Sequence, residues 1–297
     1  MLRAKKNWLT AALWLVTPLL LGAVLVTSLR QPQAAVYNAV RDVNRWRTTT
    51  SLRGYEALDG THFTVWYTQQ DANIAPMILR VAEDLYPALV KQVHFAPAER
   101  VQLVVYPDRG ALRQAFGWSD QESALGVYYG GTIRLLSPNV WAGTNDPAEL
   151  ERAFRELGPI SHEFTHLALD YRTSGNYPHW FSEGLAQWVE RRTTGYLWLE
   201  PDNRLNQPRY SLTQLDRDFD RLPNVAMAYR EAYLMVDFLA QQGGDDSVGA
   251  LVDRLAAGQP FAEAVEAQYG IAWDRLDGLY QNWLDQNQTK LDAQPLS

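Results

Sequence analysis

The run Ile160-Ser161-His162-Glu163-Phe164-Thr165-His166-Leu167 sets two imidazoles four residues apart with a carboxylate beside the first. On a helix, positions four apart share a face, so His162 and His166 can grip one metal ion while Glu163 projects about 100° away, next to the water such an ion activates. Chance alone yields this pattern roughly once in a hundred chains of this length, so its surroundings decide its worth. They are apolar and helix-compatible, with Phe164, Leu167, Ala168 and Leu169. Two imidazoles leave a tetrahedral zinc two ligands short, and a hydrolytic site fills one with a protein side chain and keeps the other open. A second segment, Pro178-His179-Trp180-Phe181-Ser182-Glu183-Gly184-Leu185-Ala186-Gln187-Trp188, offers Glu183 for that place. The plainer reading makes Glu183 one polar residue of an amphipathic helix.

Taken together, H-E-F-T-H and W-F-S-E-G-L-A resemble the gluzincin metallopeptidases, in particular their peptidase-MA-like branch. Trp180 to Ala186 is similar to the W-L-N-E-G-F-A stretch of aminopeptidase N relatives. The resemblance implies a catalytic domain of the aminopeptidase N and thermolysin kind, with one Zn2+ per chain held by His162, His166 and Glu183. It further implies that Glu163 is the general base that takes a proton from water and passes it to the leaving amine. The string Tyr229-Arg230-Glu231-Ala232 is similar to the Y-E-K-G of the aminopeptidase group, whose tyrosine donates a hydrogen bond to the tetrahedral intermediate; this implies that role for Tyr229. Read without the resemblance, Tyr229 and Tyr233 are two aromatic residues packed on one helix face. The likeness is strongest over about 150–190, extends through 240, and is only general elsewhere from 55 to 285.

The chain also departs from the family pattern. Many gluzincins place an aspartate four residues after the ligand glutamate to orient a zinc histidine, and here that position is Gln187, whose amide carbonyl is one acceptor for an imidazole proton. Asp170, one turn past His166, is another, unless it only marks a helix end. His179 stands four before Glu183 and is read as a helix-start residue, a substrate-side donor or, least, a ligand. His62 and His94 have no ligand-like neighbours in sequence. No G-A-M-E-N-type stretch is present to hold a free amino terminus, so internal cleavage of a peptide or protein is expected rather than aminopeptidase action.

Elements must position these groups. Strands are expected at 61–68 and 100–106 with a helix from Ala75 to Gln92 between them, and the glycine pair in Leu125–Leu136 predicts a hairpin with a tight turn. In gluzincins an edge strand along the cleft pairs with the substrate backbone; this hairpin is either that strand or an ordinary one. Leu150 to Tyr171 reads as helical with a break at Gly158-Pro159, followed by helices over 180–192, 227–242, 246–256, 260–268 and 273–286. The expected class is α+β: a membrane-spanning N-terminal helix, then a small mixed sheet packed on a mainly helical domain.

The amino end speaks to location. After Arg3, Lys5 and Lys6, Trp8–Leu29 is a run of 22 residues without a charge. As a helix it is about 33 Å long, enough to cross a bilayer core, and Thr27-Ser28-Leu29-Arg30 makes a poor cleavage site. An uncleaved signal anchor is expected, with a single pass through the cell membrane at 8–29. Arg30, Arg41, Arg45 and Arg47 follow the span, but the tight basic cluster before it favours an extracytoplasmic body. The division expected is a tail and anchor at 1–30, a stalk or amphipathic juxtamembrane helix at 31–54, a catalytic domain at 55–290 and a tail at 291–297. The chain has no cysteine, hence no disulfide and no thiolate metal site. Beyond residue 30 there are 23 basic and 34 acidic residues, a net charge of −11, which argues against nucleic-acid partners. Two other functions fit the same motifs: a catalytically silent binding module of gluzincin shape, against which an intact Glu163 weighs, and a metal-dependent hydrolase of a non-peptide amide.

Overall fold

The computed structural model describes residues 32–120 and 122–293. The membrane-spanning expectation at 8–29 and the end of the 291–297 tail therefore lie outside the described residues. Among those described, no helix is long and apolar enough to cross a membrane.

The elements run α1 (Pro32–Ser51), β1 (Glu56–Asp59), β2 (Phe63–Tyr67), α2 (Ala75–Val93), β3 (Val101–Tyr106), α3 (Arg109–Phe116), β4 (Gly126–Tyr129), β5 (Thr132–Leu136), α4 (Pro138–Trp141), α5 (Pro147–Leu157), α6 (Ile160–Thr173), α7 (His179–Thr194), α8 (Leu212–Asp218), α9 (Val225–Gly243), α10 (Asp246–Ala256), α11 (Phe261–Tyr269) and α12 (Trp273–Asp292). The class is mixed α+β, mostly helical with one small sheet. Its five strands lie in the order β1-β2-β3-β5-β4; β2, β3 and β5 are parallel, and the two outer strands are antiparallel to their neighbours. The expected hairpin is β4–β5, and Gly130 and Gly131 between them take φ of 53° and 81°, the left-handed turn that glycine adopts without strain. β4 is thereby an edge strand.

Local chemistry fixes where α6 and α7 begin. Asp146 caps α5 by accepting from the Ala148 and Glu149 amides, with Pro147 in the first turn. Gly158 is extended and Pro159 follows, so α5 stops and α6 starts in a new direction with the Glu163 amide donating to the Pro159 carbonyl. Pro178 does the same for α7, whose first residue is His179. Phe164 points from α6 into the core against Phe63 of β2 and Tyr86 of α2. Loss of a ring buried this way costs about 3–5 kcal/mol, which locks α6 on the sheet. On the far side α7 packs on α9 with unusual closeness: a Cβ added at Gly184 would lie 2.2 Å from the Ala232 carbonyl oxygen. The residue after Glu183 must therefore be glycine for α9, and Tyr229 with it, to approach the site.

Glu231 of α9 is fully buried; its Oε2 accepts from the Tyr210 amide (2.6 Å) and its Oε1 has no partner. Burial pushes this carboxyl up from an ordinary 4.5 to about 8. The folded chain thus keeps a proton that the unfolded chain releases, so this contribution to stability is complete below pH 4.5 and is lost as pH rises through about 8. Glu231→Gln removes that dependence. Compared with the unaltered chain, the variant is expected to gain roughly 2–4 kcal/mol between pH 5 and pH 9, measured by urea unfolding at both values; equal pH slopes for the two proteins would refute the assignment.

Residues 32–51, read from sequence as stalk or juxtamembrane helix, form α1, and α1 lies against the body through Tyr37, Arg41 and Arg45. The last helix reaches Asp292, whose carboxylate accepts from the Leu205 amide.

Candidate metal centre

His162 and His166 lie one turn apart on α6, and Glu183 comes from the first turns of α7, which crosses that face. Glu183 Oε2 is 3.3 Å from His162 Nε2 and Oε1 is 3.6 Å from His166 Nε2. All three potential ligand atoms lie within 4.8 Å of one another. Two zinc bonds of about 2.0–2.1 Å at the tetrahedral angle set ligand atoms about 3.3–3.4 Å apart, so the observed spacing suits a zinc ion.

The other ring nitrogens are engaged elsewhere, which leaves both Nε2 atoms for the shared centre. His166 Nδ1 is 2.7 Å from Ser182 Oγ, and His162 Nδ1 is 3.6 Å from Glu190 Oε2. Neither partner is anticipated by the sequence reading, which offers Gln187 and Asp170. Gln187 instead donates to the Tyr229 carbonyl oxygen (2.9 Å) and ties α7 to α9. Asp170 is almost wholly buried but faces tyrosines, not the histidines. Glu190, two turns after Glu183 on the same face of α7, had a helical-spacing signal that could have pointed to it. Partners of this kind fix ring orientation, and their loss typically weakens a metal by 10–100-fold. Ser182→Ala and Glu190→Gln are each expected to weaken zinc by about that factor in competition with a chromophoric chelator; unchanged affinity in both would show that the rings are held by packing alone.

Electrostatics favour a cation here. Burial lowers the His166 pKa to about 4, keeping the ring in the neutral form that a metal requires. At His162 burial opposes charging too, yet the contact with Glu183 and the nearby Glu190 carboxylate outweigh it and hold the ring well above its ordinary value. Glu183 lies well below the usual carboxylate range: burial works against its charge, and His166, His162 and His179 overcome that. Glu163 is 6% exposed, and burial pushes it up to about 7, with His162 pulling the other way and Glu183 adding to the rise. Three carboxylates, Glu163, Glu183 and Glu190, thus surround two imidazoles in a largely desolvated pocket.

Glu163 accepts a 2.6 Å hydrogen bond from the Tyr128 amide of edge strand β4. Tyr229, on α9, lines the same cleft as His162, Glu163, His166 and Glu183, its ring resting against Trp198 and Phe219. Burial, with the charges of Glu183, Asp220 and Glu163, pushes its hydroxyl pKa upward. Tyr233 is buried beside Arg230 and does not line the cleft. His179 is half exposed and bridges Glu183 Oε1 (3.1 Å) and Asp220 Oδ1 (3.0 Å), bracing the carboxylate from outside. His62 pairs with Glu83 on the opposite part of the sheet, and His94 ends α2 in a left-handed turn. The cleft has a volume of about 540 Å3.

A small mixed sheet whose edge strand touches the Glu of a His-Glu-x-x-His helix, crossed by a second helix that brings a further carboxylate, defines a metallopeptidase-like class. The chain belongs to the peptidase MA superfamily, whose model matches residues 82–286; its members are generally zinc-dependent peptidases. No curated protein matches the chain.

Proposed function

We propose that this chain is a membrane-anchored zinc endopeptidase, held by the apolar run 8–29 with its catalytic domain outside the cytoplasm. The observation that carries the catalytic part is the convergence of His162, His166 and Glu183 within 4.8 Å, with Glu163 beside them in one cleft. His162, His166 and Glu183 would hold a zinc ion there, whose chemistry would supply a water of near-neutral pKa and polarisation of the scissile carbonyl. Glu163 accepts the proton from the attacking water and delivers it to the leaving amine. The Tyr128 amide holds Glu163 Oε2, which leaves Oε1 for the proton. Tyr229 donates its hydroxyl hydrogen bond to the developing oxyanion, and desolvation of the cleft strengthens that bond. Beside the Tyr128 amide that Glu163 takes, the remaining outward backbone groups of edge strand β4 align an extended substrate by backbone pairing, which makes recognition tolerant of side chains.

The test is cleavage of a quenched-fluorescence peptide library by the zinc-loaded full chain, with product ends located by mass spectrometry. Internal cuts that stop with a chelator and return with zinc are expected. A chain that holds zinc stoichiometrically and cuts no peptide would overturn the reading in favour of a silent binding module or a hydrolase of another amide.

A further inference from the structure

Asp170 is 1% exposed and sits in the last turn of α6, where the helix dipole disfavours a carboxylate. A buried charge is retained only where hydrogen bonds and an opposite charge offset its desolvation. The donors come from two directions. From the edge strand, the Tyr128 hydroxyl donates to Oδ2 at 2.6 Å. From α1, the Tyr37 hydroxyl donates to Oδ1, and Arg41 Nη1 reaches Oδ2 at 3.4 Å with its guanidinium stacked 3.7 Å above the Tyr171 ring. Tyr128 is therefore pinned to α6 at two points, its amide on Glu163 and its hydroxyl on Asp170. The second of these depends on a carboxylate that α1 neutralises.

The same helix also borders open space. Between α1 and β4 runs a groove of about 300 Å3, walled by Tyr37, Val40, Tyr128 and Tyr129 among others. It shares the walls Tyr128 and Tyr177 with the metal-centre cleft and so adjoins it. Val40 and Tyr129 are 55% and 53% exposed, giving this groove apolar surface beside the polar Arg41, Asn44 and Asp170. α1, like β1 and β2, precedes the stretch 82–286 that matches the superfamily.

We propose that α1 is a working part of the substrate cleft. Tyr37 and Arg41, through Asp170, hold Tyr128 and thus keep β4 in register with Glu163, while the groove between α1 and β4 receives an apolar side chain of an extended peptide distal to the cut. The subsite rests on the peptidase reading above; the tether does not.

Two measurements on the zinc-loaded full chain separate them. Amide hydrogen exchange tests the tether: Tyr37→Phe, which keeps the ring and removes the hydroxyl, and Asp170→Asn are expected to speed exchange in 126–129 at least tenfold with zinc content unchanged. Faster exchange confined to α1 would overturn it. Peptide length tests the subsite: on two peptides sharing one cleaved core, one extended at both ends with leucine-rich flanks, the unaltered chain is expected to favour the longer through a lower KM. Val40→Trp, which fills the groove, should remove at least fivefold of that advantage through KM with kcat on the longer peptide kept. No preference for length, or a preference that survives Val40→Trp, overturns the subsite. If the unaltered chain cuts neither peptide, the peptidase reading fails and takes the subsite with it, whereas the exchange result still decides the tether.

Discussion

Glu163→Gln is expected to lower kcat by about 10²–10⁴-fold while leaving the metal in place. The substitution keeps the shape of the side chain and the acceptor for the Tyr128 amide, which the carboxylate contacts at 2.6 Å. What it removes is the ability to take and return a proton. Because Glu163 is set apart from the three converging groups, the loss should fall on kcat with little change in KM or in zinc stoichiometry. Steady-state kinetics on a cleaved peptide, with metal analysis of the same preparation, gives both numbers. A variant that retains activity within about threefold would remove Glu163 from the role of general base; one that loses zinc as well would make it a ligand.

Glu183→Ala and His166→Ala are expected to act at an earlier step, by emptying the centre. Removing a ligand from a three-residue set should weaken zinc well beyond the 10–100-fold cost of losing a supporting hydrogen bond, and activity at submicromolar free zinc should fall to background. Stability reports the same event without any substrate. Zinc at about 100 times its Kd adds about 2.7 kcal/mol to a protein that binds it only when folded, so the unaltered chain should show that increment in thermal unfolding and both variants should lack it. In Glu183→Ala the metal-free protein is expected to lose stability as well, because the histidines that hold Glu183 well below the usual carboxylate range are left in a buried site without their partner. A zinc-dependent stability increment surviving in Glu183→Ala would mean that another group completes the set.

The reach of the sequence differed from one residue to another for physical reasons. The juxtaposition of His162 and His166 was legible because helical periodicity alone puts residues four apart on one face, and the apolar pattern around them specifies a helix. The placement of Glu183 needed a second motif, since no local rule states which face of α6 a later helix will cross. The orienting partners escaped for that reason: Ser182 and Glu190 meet the rings only after α6 and α7 have packed, whereas Gln187, favoured by family position, turned toward α9. The main strands and helices followed from alternation and helical spacing, and the glycine pair marked the hairpin. β1 was missed because Glu56–Asp59 is four residues long, largely exposed and half acidic, so its pairing with β2 leaves almost no hydrophobic trace. α1 was read as stalk or juxtamembrane helix because it has no wide apolar face; it docks by Tyr37, Arg41 and Arg45, through a buried aspartate and an ion pair that hydropathy does not register. Whether residues 8–29 cross a bilayer lies outside the described residues, and protease protection of the full chain in sealed vesicles addresses it directly.

Zinc-edge X-ray absorption of the zinc-loaded full chain reads the assignment of His162, His166 and Glu183 as ligands without any substrate. That assignment predicts two imidazole nitrogens at about 2.0–2.1 Å, carboxylate oxygen at about 2.0–2.2 Å and one exchangeable light-atom ligand, with the protein-bound zinc spectrum itself lost in Glu183→Ala. A spectrum without a two-imidazole shell, or one that Glu183→Ala leaves unaltered, would contradict it.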